Sequence, residues 1–227
     1  CEAFTGKGLQ YFDTGRVENM GQMFLNCPNL DVELANWDVS NVTNMYQTFE
    51  KCDIFTGDMP NWDTSKVTNL YRIFADCSNF NGDINSWKVG NVTNMREMFF
   101  NCASLDGNIS AWDVSNVTEM HSTFKGCSNF NQYLDSWDVS NVKNMDAMFE
   151  NCSSFNGNIS NWTPSNVISM ANLFSGCTNF NQNLNSWDVS NVKNINSTFR
   201  NCANFNQNLN SWDVSNVTNM SYTFRNC

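Results

Sequence analysis

The sequence predicts an α/β repeat solenoid: nine stacked units, each with one short parallel strand and one short helix. Three observations predict it. Tryptophan stands at 37, 62, 87, 112, 137, 162, 187 and 212, a period of 25 with no slip. Cysteine keeps the same beat from Cys27 to Cys227, and phenylalanine does so from Phe24 to Phe224. Within each unit the apolar spacing changes from two to three and four. A fixed period in this range means units that cannot bury their apolar side alone and do so by stacking.

The strand is predicted at Trp37 and Val39, two residues apart and so on one face of an extended segment. Val42, Met45, Phe49 and Cys52 follow at spacings of three, four and three, which predicts one apolar face of a short helix. Between the two lies a column of Ser, as in Ser40, Ser65 and Ser115, with Gly15 and Gly90 as its other members. Both residue types serve at helix N-caps. Pro164, in the Val39 column, would end its strand just before Ser165. The remaining residues of each unit form a return loop.

The first unit has 26 residues and the others 25: Cys1 and Phe4 match later CxxF pairs, but the stretch from Gly6 to Gly8 adds one residue before Phe12 takes the tryptophan slot. Residues 1–227 are therefore expected to form a single domain of nine repeats, either an excerpt of a longer array or a filament subunit.

Composition narrows the function. Asparagine occurs 41 times and Ser plus Thr 38 times, while 12 Lys and Arg face 22 Asp and Glu, a formal charge of −10. That balance excludes a nucleic-acid partner. Eighteen Phe and eight Trp exclude a disordered acidic chain and imply a sizeable core. No apolar run approaches a bilayer-spanning length.

The pattern FxxCxxF followed by LxxWxVSNVTNM, as in Cys127 to Asn151, resembles the bacterial surface-protein repeat of about 26 residues among the BspA-like leucine-rich repeats, found in mycoplasma-type lipoproteins. The resemblance spans essentially the whole chain. It implies a leucine-rich-repeat-like solenoid, an extracellular or cell-surface location, adhesion or binding of host and matrix proteins, and no enzymatic activity. It carries no ligand.

The cysteine column (Cys27, Cys52, Cys77, Cys102, Cys127, Cys152, Cys177 and Cys202) sits on the apolar face and reads as buried free thiols, with bridges between neighbours as the alternative. A line of sulfurs does not make the tetrahedron that zinc requires. The tryptophans read as core.

Asp38, Asp63, Asp113, Asp138, Asp188 and Asp213 lie between Trp and Val and form an outward acidic stripe, interrupted by Lys88 and Thr163. Like charges on adjacent strands repel, so compensation is expected from helix N-termini, from calcium or from a basic partner. No other cofactor is implied.

Ten Asn-x-Ser/Thr sequons occur, of which Asn41, Asn91, Asn116 and Asn216 share one exposed column and are the glycosylation candidates. His121, the only histidine, occupies a column that also holds Gly21, Tyr46, Arg96 and Asp146, so it reads as solvent-facing.

Taken together, the expectation is a non-enzymatic extracellular structural or adhesive repeat protein, partnering itself head to tail in a fibre. The alternative is a binding module that recognises a surface protein or glycan on its sheet face. Membrane attachment would come only through an anchor outside this chain or lipidation at Cys1.

Overall fold

The computed structural model describes residue 1 and residues 3–227. The chain winds into successive coils of 25 residues, each laid on the last so that a residue meets its counterpart one repeat away. Eight isolated parallel bridges mark the register, from Asn19 with Asn44 to Asn194 with Asn219. Among the described residues there is no strand and no α-helix; one 3₁₀ turn, Leu9–Tyr11, is the sole regular element. The α/β repeat solenoid with one strand and one helix per unit, and its leucine-rich-repeat-like class, are therefore corrected: the units are built from turns.

The backbone bonds give the reason. Along Met120 to Cys127, alternate N–H groups leave the coil: Ser122, Phe124 and Gly126 donate to the carbonyls of Asp146, Met148 and Glu150 in the next coil, at 2.9, 2.9 and 2.8 Å. The intervening N–H groups of Thr123, Lys125 and Cys127 turn back to Met120, Ser122 and Phe124, three residues earlier. A helix would spend every one of these groups inside its own segment and leave nothing to join the coils.

Successive i→i+3 turns also reproduce the three-four-three apolar spacing, which is why the sequence reads as helical. They need left-handed backbone at fixed places, and Ser122 (φ 55), Ala147 (φ 55), Lys51 (φ 60) and Asn151 (φ 63) adopt it. Such conformations cost roughly 1–2 kcal/mol for a residue with a β-carbon. The ladder over-determines them. At Gly126 (φ 81), a β-carbon would also stand 2.4 Å from Asn101 Oδ1.

The expected strand fails for a similar reason. The Trp37 N–H donates to Leu34 and that of Val42 to Val39, both within the coil. Among the described residues the Val39 column donates no backbone hydrogen bond, so Pro164 stands in it without losing one. Ser40 caps no helix; its N–H donates to Asp38 Oδ1 at 2.9 Å.

Asparagine supplies further turns. The Oδ1 atoms of Asn44, Asn94 and Asn108 each accept the N–H two residues on, the turn chemistry that makes Asn a poor helix former.

The core is one continuous cluster from Leu9 to Cys202. Phe74, Phe99 and Phe124 stack with centroids 5.7 and 5.6 Å apart and planes within 11°. Trp112 and Trp137 lie 6.4 Å apart at 5°. These are favourable offset geometries.

Candidate functional site

Three sets of side chains carry chemistry. The first is the acidic stripe. Asp38, Asp113, Asp138, Asp188 and Asp213 are exposed and Asp63 half-buried. Each is consumed locally: Oδ1 accepts the N–H of the Ser two residues on, at 2.9 Å for Asp138 and 3.1 Å for Asp188. The hydroxyl and N–H of that Ser hold Asp38, Asp138 and Asp188 below the usual carboxylate range, against repulsion from Asp63 on Asp38 and from Asp213 on Asp188. Compensation expected from helix N-termini thus comes from serine, since the described residues form no α-helix. Among the described residues no group of three or more His, Cys, Asp or Glu could hold a metal ion.

The second set is the thiol column. All ten cysteines are free; Cys27 through Cys202 are buried, while Cys1 and Cys227 are exposed. From Cys52 onward each Sγ donates to the carbonyl of the Phe 28 residues earlier, as Cys127 does to Phe99 at 3.0 Å. Burial pushes Cys52 and Cys202 up to about 12 and raises Cys77, Cys127 and Cys177 well above the ordinary 9.0. A thiol so protonated is neither nucleophile nor metal ligand.

The tryptophans obey the same 28-residue rule: Trp137 Nε1 donates to the Ile109 carbonyl. The glycosylation candidates Asn41, Asn91, Asn116 and Asn216 are exposed. Their Nδ2 groups donate to carbonyls of the preceding coil, at 2.8, 2.7, 2.7 and 2.8 Å.

The third set was invisible in the sequence. Arg72 bridges three coils, with Nη2 2.8 Å from Glu50 and Nη1 2.7 Å from Glu97, both of them buried. Arg96 joins through Glu97 at 2.9 Å and lies over the Tyr71 ring at 5.6 Å. These residues sit in columns that change from unit to unit, and only that variability could have flagged them. His121 stands beside them, its Nε2 3.3 Å from the Ser122 hydroxyl. No nucleophile, base and orienting group come together among the described residues.

Such a fold defines a repetitive protein whose inward side chains stack from coil to coil. The chain belongs to the family described as Mycoplasma protein of unknown function, DUF285, whose model matches residues 1–105, 83–171 and 151–227. That membership, with the absence of strand and helix among the described residues, replaces the BspA-like leucine-rich-repeat resemblance.

No curated protein matches. Among solved structures, a leucine-rich repeat protein of T. pallidum is 15% identical, with 84% of this chain and 72% of that one covered and a TM-score of 0.48. A leucine-rich repeat protein from Bacteroides ovatus is 13% identical, covering 93% and 80%, with a TM-score of 0.31. The Toll–Spatzle complex of Drosophila is 11% identical, covering 76% of this chain but 24% of that one, at 0.40. Scores under 0.5 establish no shared fold.

Proposed function

We propose that the protein is a non-enzymatic, surface-displayed repeat scaffold that serves adhesion or assembly. The observation that carries this reading is where its polar groups go. The stripe carboxylates, the Asn column and the thiols are each spent on joining turns and coils, leaving a regular rod with no cluster of reactive groups among the described residues. Membership in the mycoplasma family agrees with an extracellular or cell-surface location.

In its finer form the scaffold stacks on a second copy head to tail. Each coil has two unlike edges: N–H groups such as those of Ser122 and Phe124 face one neighbour, and carbonyls such as those of His121 and Thr123 accept from the other. A further coil adds with one polarity only.

Surface biotinylation of intact cells tests location, with labelling expected and exclusive recovery inside the cell contradicting it. Electron microscopy and sedimentation against concentration test assembly: fibres that lengthen are expected, and particles of monomer size at every concentration contradict it. The second reading, recognition of a basic protein or glycan by the acidic stripe, is favoured by the exposed row of Asp113, Asp138, Asp188 and Asp213 and would appear as binding lost in Asp113→Asn with Asp138→Asn.

A further inference from the structure

When glycine follows asparagine, its backbone nitrogen can attack the asparagine side-chain amide with no β-carbon in the way. Two such pairs occur, each after a phenylalanine: Phe80-Asn81-Gly82 and Phe155-Asn156-Gly157. Stacking holds glycine at both places, since a β-carbon at Gly82 would strike the Gly57 carbonyl and one at Gly157 the Gln132 carbonyl. Both asparagines are exposed, and neither glycine N–H donates a hydrogen bond among the described residues.

The two pairs differ in what meets the amide oxygen. Asn81 Oδ1 accepts one bond, from the Asp106 N–H at 2.8 Å. Asn156 Oδ1 accepts two, from the Asn181 N–H at 2.9 Å and from Gln182 Nε2 at 3.0 Å. Gln182 Nε2 also donates to the Asn156 main-chain carbonyl at 2.8 Å, which fixes it in place. Where Asn156 meets Gln182, Asn81 meets Gly107, the same column one coil on. Asn181 has two donors as well, the Asn206 N–H and Gln207 Nε2, both at 3.0 Å, but the residue after it is Gln182. Asp106 has two donors and is followed by Gly107, yet carries no amide to lose. Among the described asparagines, Asn156 alone combines both donors with a following glycine.

We propose that the Asn156-Gly157 pair is a self-modifying site, at which the fold promotes loss of the Asn156 side-chain amide as ammonia. The Gly157 nitrogen gives its proton to solvent and bonds to the Asn156 Cγ. Negative charge gathers on Oδ1, where two donors stand at distances suited to an oxyanion. The bond from Cγ to Nδ2 then breaks, Nδ2 takes a proton from solvent and departs as ammonia, and a cyclic imide remains. Water opens the imide at either carbonyl, leaving aspartate or isoaspartate. Isoaspartate carries an extra methylene in the main chain and loses the bond to the Asn181 N–H, so the reaction loosens one contact between coils.

The test is mass-spectrometric peptide mapping of the 227-residue protein during incubation at neutral pH, folded and in urea, with Asn, Asp and isoaspartate resolved at positions 81, 156 and 181. In the folded protein Asn156 should convert about tenfold or more faster than Asn81, a modest share of what one oxyanion donor contributes in an enzyme. In urea the two should converge, because Phe precedes and Gly follows both; Asn181 should stay intact. Exchanging the partners should exchange the rates. Gln182→Gly slows Asn156, and Gly107→Gln, whose β-carbon would meet nothing closer than 3.7 Å, speeds Asn81. Equal folded rates at Asn81 and Asn156, or a difference that persists in urea, overturns the proposal, as does an unchanged Asn156 rate in a Gln182→Gly variant of unaltered melting. Should that variant fail to fold, the comparison between the two sites of the parent protein decides.

Discussion

The indole Nε1 of Trp137 donates to the carbonyl of Ile109, 28 residues earlier, at 3.2 Å, and the same carbonyl accepts the backbone N–H of Trp112. One oxygen thus closes a turn in its own coil and fastens the next. Removing the indole donor leaves that acceptor satisfied. Trp137→Phe, which loses the donor and only part of the ring volume, is therefore expected to cost less than Trp137→Ala, which should lose about 3–5 kcal/mol through the cavity it opens. Urea unfolding of the two variants checks the order; equal losses would contradict a stack held mainly by aromatic volume.

The thiol column makes stability depend on alkali. Folded thiols such as Cys52, raised to about 12 from an ordinary 9.0, stay protonated where unfolded ones ionise. Their stabilisation is fully present below pH 9 and is lost as pH rises from there through the folded values. Each contributes a slope of up to about 1.4 kcal/mol per pH unit. The urea midpoint should be flat across neutrality and fall steeply above pH 9, less steeply in Cys127→Val with Cys152→Val.

Thiol chemistry should divide the cysteines in two. With Cys1 and Cys227 exposed and the remaining eight buried, a chromogenic disulfide reagent should titrate two thiols rapidly in native protein and ten in denaturant. Rapid reaction of all ten without denaturant would contradict the packing.

Left-handed positions offer a stabilising change. Lys51 adopts φ 60 at a column where Gly126 and Gly176 also stand. Lys51→Gly is expected to raise stability by about 0.5–1 kcal/mol, the relief of β-carbon strain outweighing the added chain entropy. Lys51→Val should lower it. Thermal melts of both variants decide the sign.

Acid acts through the stripe. Serine donors depress Asp138 and Asp188, so their contribution is present above the ordinary carboxylate value of 3.8 and is lost as pH falls through the lower folded ones. Asp138→Asn keeps an acceptor for the Ser140 N–H and should melt close to the parent at neutral pH; Asp138→Ala should melt lower.

How much of this was legible in the sequence follows from what periodicity encodes. The inward columns were: Trp137, Phe124 and Cys127 are buried where their spacing puts them. The element type was not, because a three-four-three spacing suits a helix and a run of three-residue turns equally. Asparagine held the clue. Side chains such as Asn44 and Asn108 bond the N–H two residues on, and a chain so rich in them favours turns over helix. The Arg72 cluster was beyond reach, since its members are 22 and 25 residues from Arg72 in columns with no consensus.

The central claim is that alternate N–H groups of each coil bond the next coil. Through-hydrogen-bond scalar couplings measured by NMR test it most directly. Phe124 N should couple to the Met148 carbonyl and Ser122 N to that of Asp146. Coupling of Phe124 N to the Met120 carbonyl, the helical partner, would contradict it.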